Sequence, residues 1–318
     1  MQETYRILVT STSFGKAEPL PLQRLKECGC EIIENPYGRP LKEDELISLL
    51  AGVDGVIAGV DQFTEKVIKS SNRLKVISRY GVGTDNVDLE ATKRLGIVVT
   101  NTPDVNTEAV ADLTFGLILA VSRMIPQSHQ ATREGKWERF IGRGVYGKVL
   151  GIVGLGRIGK GVAKRAKGFE MEILAYDVKK DEAFAQSMGV SFVSLDDLLM
   201  GADYVTLHCD LNPQTKRLIG RRELELMKKT AFLINTARGG IVEEEALYEA
   251  IKLGKIAGAG LDTYVEEPPS KENPLLELDN VVTTPHIGSY THESVLEMGL
   301  SAVENLMRVL KSKTDQPY

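Results

Sequence analysis

Three stretches in the second half of the chain end apolar runs with groups that can hold anions or move protons. "AFLINTARGG" delivers Arg238, "GAGLDTYVEEPP" delivers Asp262 and the neighbours Glu266 and Glu267, and "VVTTPHIGSYT" delivers His286, one of four histidines. A guanidinium stays charged and presents a planar fork that matches a carboxylate. An imidazole gives and takes a proton around neutrality, and a carboxylate beside it fixes which ring nitrogen faces a reactant. These types together suit acid–base work on a small anion. Pro285 stiffens the backbone behind His286, and Gly288 lets the chain turn away beyond it.

Upstream, "VLGIVGLGRIGKGVAKRAKGF" sets Gly154, Gly156 and Gly159 in GxGxxG spacing between an apolar run and a helical pattern. In that context the first glycine permits a tight turn and the second lets the backbone approach a pyrophosphate. The third lets helix pack on strand, and the helix N-terminus attracts phosphate. Arg157 and Ile158 lie inside the fingerprint as further candidate cofactor contacts. The next apolar run ends at Asp177, close to the interval of about 20 residues expected for the acid that binds a ribose 2′-hydroxyl. A carboxylate there repels a 2′-phosphate, so NAD is expected rather than NADP, although Lys179 and Lys180 follow closely.

Elements that could position these groups are legible as two series of β-branched runs. Over residues 5–100, "YRILV", "CEIIE", "DGVIAG", "LKVIS" and "GIVVT" alternate with helical patterns, several ending in a glycine, as Gly29 and Gly96 do. From Lys148 a second series has six strand candidates, "KVLGIVGLG", "MEILAYD", "DYVTLHC", "AFLINTA", "IAGAGLD" and "VVTTPH". Six is the number of a full dinucleotide-binding sheet. Strands separated by helices form parallel sheets, and ligands sit at their carboxyl edge, where Arg238, Asp262 and His286 fall. Between the series, residues 106–124 ("NTEAVADLTFGLILAVSRM") are apolar almost all round, so a second domain or another subunit should cover this helix. "THESVLEMGLSAVENLMRVLK" is a last amphipathic helix that can return to the first series.

In combined order, "YGVGTDNVDL", "NTEAVADL", "VLGIVGLGRIG", "NTARGGIVEEEAL", "GAGLDTYVEEPP" and "TPHIGS" resemble the D-2-hydroxyacid dehydrogenase family over nearly the whole chain. The resemblance implies an α/β chain of two domains, a Rossmann doubly wound parallel sheet inserted in a flavodoxin-like parallel-sheet substrate domain. Residues 1–103 and 288–318 would form the substrate domain and 104–287 the dinucleotide-binding domain, with helix 106–124 for dimerisation. It also implies a catalytic set of Arg238, Glu267 and His286, Glu267 being chosen over Glu266 because it precedes Pro268. His286 would be the acid/base, Glu267 its partner, and Arg238 the holder of the substrate carboxylate and polariser of the keto oxygen. NAD would supply hydride. By the same resemblance, Val82, Gly83 and Asn106 touch substrate, Asp262 meets the nicotinamide carboxamide, and Thr236 and Ala237 line the ring pocket. His208 and Thr215 match a cofactor-contacting segment, with Gly288 leaving room for cofactor, while Asp210 departs from a common proline. Phosphoglycerate members often carry an arginine where this chain has Ala58, which leaves Arg79 as the candidate for a second anion.

With 318 residues, 42% hydrophobic and 26% charged, the chain can bury the cores of two domains. A net charge of -5 gives no long-range attraction for nucleic acid or anionic membranes, so neither is an expected partner; a small anionic 2-keto or 2-hydroxy acid is. Cys28, Cys30 and Cys209 form neither a disulfide framework nor a metal pattern, and no metal is expected. The opening "MQETYRILVT" enters a strand directly, and an unprocessed cytoplasmic homodimer is the expectation. No regulatory module is expected after Tyr318. Two competing expectations are a relative that oxidises formate or phosphite, and an NAD-sensing corepressor-like binding protein.

Overall fold

The computed structural model describes residues 4–312; the first three and last six residues of the expected substrate domain lie outside them. Walking the chain, strands β1 (Arg6–Val9), β2 (Glu31–Glu34), β3 (Gly55–Ala58), β4 (Val76–Arg79) and β5 (Val98–Thr100) come first. They alternate with helices α1 (Leu20–Glu27), α2 (Glu43–Leu49), α3 (Glu65–Lys69) and α4 (Leu89–Arg94). Helices α5 (Thr107–Arg123) and α6 (Ile125–Arg133) follow. A second alternation runs β6 (Val149–Val153), α7 (Arg157–Gly168), β7 (Glu172–Tyr176), α8 (Glu182–Met188), β8 (Val190–Phe192), α9 (Leu195–Gly201) and β9 (Tyr204–Leu207). It continues through α10 (Arg221–Leu226), β10 (Phe232–Asn235), α11 (Glu244–Lys252), β11 (Gly258–Leu261) and β12 (Val281–Thr283) to a long last helix, α12 (His292–Ser312).

Two compact units result, Met1–Asn106 with Tyr290–Tyr318, and Thr107–Ser289. Both crossings fall a little later than residues 103 and 287. Asn106 stays with the first unit because α5 starts only at Thr107, and Gly288 stays with the second because its amide bonds back to Asp262.

In the first unit, five parallel strands take the order β2-β1-β3-β4-β5. The central strands β3 and β4 are buried at every position, as a sheet covered on both faces requires. Ile7, Val9, Ile57 and Val76 pack against Met298, Val303, Leu306 and Leu310 of α12; Leu8, Val56 and Ile77 pack against Leu46, Leu50, Val67 and Ile68. Helix starts are set by local chemistry, as where Thr64 and Asp88 accept the Val67 and Ala91 amides. Gly29 and Gly96 adopt the positive φ of helix-ending glycines.

In the second unit the sheet has seven strands, not six: β12-β11-β10-β9-β6-β7-β8, all parallel. The added strand, β8, is a three-residue edge strand directly after Gly189, too short to show an apolar run. From β8 to β11 the order is that of a doubly wound nucleotide-binding sheet, with β12 beyond it at the other edge. Much of the all-round apolar character of α5 is used within its own unit, since the helix packs on α7, β10, β11 and β12. Glu108 and Asp112 on its open side pair with Arg165. Among the described residues, no single helix is long and apolar enough to cross a membrane.

Candidate active site

The glycine loop leaves β6 with Gly154 at φ 96°, where a Cβ would lie 2.7 Å from the His208 carbonyl carbon. A Cβ at Gly159 would meet the Gly154 carbonyl oxygen at 2.2 Å, so helix and loop touch backbone to backbone. At Gly156, which caps α7, a Cβ would find nothing within 4 Å. That position is open, at the end of a helix whose first amides lack intrahelical partners, with exposed Arg157 and half-buried Ile158 in its first turn. Asp177, just past β7, accepts the Leu155 amide at 2.7 Å and the Lys179 amide at 2.8 Å, so the acid is tied to the loop.

His208 adds a second sign of an intended occupant. Both ring nitrogens are shielded from solvent without a protein hydrogen-bond partner, and burial pushes the imidazole down to about 3. A neutral ring with two unmet polar atoms beside a glycine loop fits a polar ligand. Thr215 is used differently: its hydroxyl donates to the Asp210 carbonyl (2.5 Å) and accepts the Asn212 amide (2.9 Å), closing the loop where a proline was expected. Buried Thr236 shares a 3.0 Å hydrogen bond with Thr114 of α5. Open glycine cradle, helix terminus, tethered acid and unmet imidazole fit a dinucleotide. Gly154, Gly156, Gly159, Asp177 and His208 are the groups that would hold NAD.

Beyond β10, Asn235 shapes the turn that carries Arg238. Its side chain accepts the Ala237 amide (3.1 Å) and donates to the Arg238 carbonyl (2.9 Å). Arg238 is half-buried and donates through Nη1 to the Ala237 carbonyl at 2.8 Å. A Cβ on the next residue, Gly239, would stand 1.9 Å from the Tyr264 carbonyl carbon. The backbone after Arg238 therefore lies against the backbone leading to Glu267, where only glycine fits.

Glu267 and His286 meet directly, with Nδ1 2.7 Å from Oε2. An ionised carboxylate only accepts, so Nδ1 carries the hydrogen and Nε2 is left for a reactant. The other Glu267 oxygen accepts the Tyr264 amide at 3.0 Å. Burial works to raise the Glu267 carboxyl, but the hydrogen bond from His286, the imidazole charge, the Tyr264 amide and nearby Arg238 outweigh it and leave it below the usual carboxylate range. Glu266 is exposed, and it is Glu267 that pairs. His286 has φ 53°, a left-handed conformation that is costly for a residue with a Cβ and that occurs where surroundings impose it.

Asp262 is fully buried and holds the segment around His286. Oδ1 accepts the Thr284 hydroxyl (2.6 Å) and the Ile287 amide (2.8 Å), and Oδ2 accepts the Gly288 amide (2.8 Å). Burial pushes its carboxyl up against those bonds. This web was not foreseen from the sequence, nor was the part of Asn235; a polar residue closing an apolar strand was the available signal.

The remaining candidates belong to the first unit. Arg79 is 4% exposed and donates to the Gly83 carbonyl (2.9 Å) and the Ala58 carbonyl (2.6 Å). The Val82 carbonyl accepts from Asn101 at 2.7 Å. Val82, Gly83 and Asn106 are half-buried. Among the described residues, no cluster of three or more His, Cys, Asp or Glu side chains could hold a metal ion.

Residues 115–288 match the D-isomer specific 2-hydroxyacid dehydrogenase, NAD binding domain, family. The chain is 46% identical over 89% of its length to a D-3-phosphoglycerate dehydrogenase of Methanocaldococcus jannaschii, of which it spans only 55%. It is 45% identical to a glyoxylate reductase of Korarchaeum cryptofilum over 90% of each chain. The crystal structure of the TT0316 protein from Thermus thermophilus superposes with a TM-score of 0.87 at 42% identity, covering 96% of this chain and 97% of that one. The chain belongs to the D-isomer specific 2-hydroxyacid dehydrogenase family and carries that family's NAD-binding domain.

Proposed function

We propose that the protein is an NAD-dependent oxidoreductase that interconverts short 2-keto acids, such as glyoxylate or hydroxypyruvate, and the corresponding D-2-hydroxy acids. The observation that carries this reading is the 2.7 Å His286–Glu267 pair with Arg238 nearby, on the unit that bears the glycine loop. Reduction of a keto group needs a proton on its oxygen, which His286 gives from Nε2 while Glu267 holds Nδ1 and balances the ring's charge. Arg238 grips the substrate carboxylate and stabilises the negative charge that develops on the keto oxygen. Bound NADH supplies the hydride. Oxidation of formate or phosphite leaves no keto oxygen to protonate, so the paired acid/base favours keto acids. Ala58 offers no charge for a substrate phosphate, which favours short uncharged side chains.

We place this chemistry in a cytoplasmic homodimer. The three thiols are unpaired, as in a reducing compartment. On the loop after α6, Trp137 is 81% and Ile141 95% exposed, while its base is fixed by the Arg143 amide on the Ser122 carbonyl and by Tyr204 on the Gly144 carbonyl. A fixed arm with bare large apolar side chains suits a second copy.

The test is consumption of NADH, and separately of NADPH, with glyoxylate, hydroxypyruvate, pyruvate, oxaloacetate and phosphohydroxypyruvate. Glyoxylate or hydroxypyruvate with NADH should rank first, and His286→Ala should lower kcat by about 1,000-fold. Near-normal turnover by that variant, or no turnover of any keto acid, would overturn the assignment.

A further inference from the structure

The chain leaves the second unit between Ser289 and Tyr290, only three residues after His286. Any torsional change at that crossing would be passed to the imidazole unless something between them were fixed. Asp262 is what is fixed there. Its carboxylate, on the loop directly after β11, accepts the Ile287 and Gly288 amides from one side of His286 and the Thr284 hydroxyl from the other. The anchored segment is also seated on α5, since a Cβ at Gly288 would lie 3.1 Å from Asp262 Oδ2 and 3.3 Å from Val110. These bonds bracket the one residue of the proposed catalytic set with a positive φ.

We infer that Asp262 is a positioning residue for proton transfer: it clamps residues 284–288 so that His286 keeps its left-handed backbone and its hydrogen bond to Glu267 whatever the chain does beyond Ser289. The inference rests on the proposed role of His286 and is separate from any contact to the nicotinamide carboxamide: it concerns the three protein donors that the two carboxylate oxygens accept. Three donors converge on it, and a backbone N–H cannot accept. An amide in its place would therefore turn an NH2 toward one of them. Asp262→Asn keeps the volume and breaks the clamp.

The experiment uses the full chain. Amide hydrogen exchange is followed by NMR without cofactor or substrate, alongside kcat, KM and the NADH dissociation constant from fluorescence. In Asp262→Asn the Ile287 and Gly288 amides should exchange at least about tenfold faster while those of β6 are unchanged. Turnover at saturation should fall about 100-fold, the cost of a misplaced catalytic group, with NADH affinity within about threefold. Thr284→Val removes one of the three donors and should speed exchange of the same two amides about threefold and lower turnover about tenfold; it carries the test if Asp262→Asn does not fold. Wild-type exchange at both amides, or a loss confined to NADH affinity that saturating NADH restores, would overturn the clamp. Active His286→Ala protein with fast exchange in Asp262→Asn would instead sink the acid/base role and leave the clamp standing.

Discussion

Both units end their parallel strands in polar residues, yet the two carboxyl edges treat them in opposite ways. In the first unit Arg79 and Asp61 are occupied within the protein itself. Arg79 braces Ala58 and Gly83, and Asp61 accepts from the Thr10 hydroxyl and the Leu41 amide. In the second unit, His286 keeps one ring nitrogen beyond its bond to Glu267, His208 has two unmet nitrogens, and Gly156 opens onto empty space. A sheet edge becomes reactive by withholding partners from some of its polar groups. The first edge is built to hold a shape, and the second keeps the open groups that the proposed reaction needs.

Substitution of the two arginines tests this contrast. Arg238→Lys, which keeps the charge but loses the fork, should lower kcat/KM by about 100-fold. Arg79→Met should act mainly on folding, leaving two carbonyls unmet for a loss of about 2 kcal/mol, read as a shifted urea midpoint. Its kcat at saturating substrate should stay within about threefold of wild type, any effect falling on KM. A collapse of kcat as deep as that of Arg238→Lys would erase the distinction. The smallest effect concerns acid. The depressed Glu267 carboxyl gives stability that is full above its unfolded value of about 4.3 and is lost as pH falls through the lower native value. The unfolding free energy of Glu267→Gln, measured with urea, should thus trail wild type by about 1 kcal/mol at neutral pH, and the gap should narrow as the pH falls below about 4.3.

Much of this was legible because it rests on local rules. The glycine fingerprint, the β-branched runs and the helix-ending glycines each declare a backbone conformation within a few residues. The strand β8 was not legible, since "VSF" is three residues long and earns its place by pairing with β7. Nor was the partner of α5, because an apolar circumference says that a helix is covered without saying by what. The commitments of Arg79 and Asp262 were hidden for a different reason. A charged residue after a strand reads the same whether it faces a ligand or its own loop, and only the placement of distant backbone decides. Thr215 shows the same ambiguity at a hydroxyl, which closes its own turn.

Gly239 has a consequence that reaches past its size. Because its α-carbon rests on the Tyr264 carbonyl, the segment bearing the guanidinium and the segment bearing the glutamate behave as one slab. A lone methyl group there is a wedge, prising Arg238, the proposed carboxylate anchor, away from Glu267, the proposed support of the proton donor, while every ionisable side chain is retained. The proposed machinery thus depends on a position that takes no part in its chemistry.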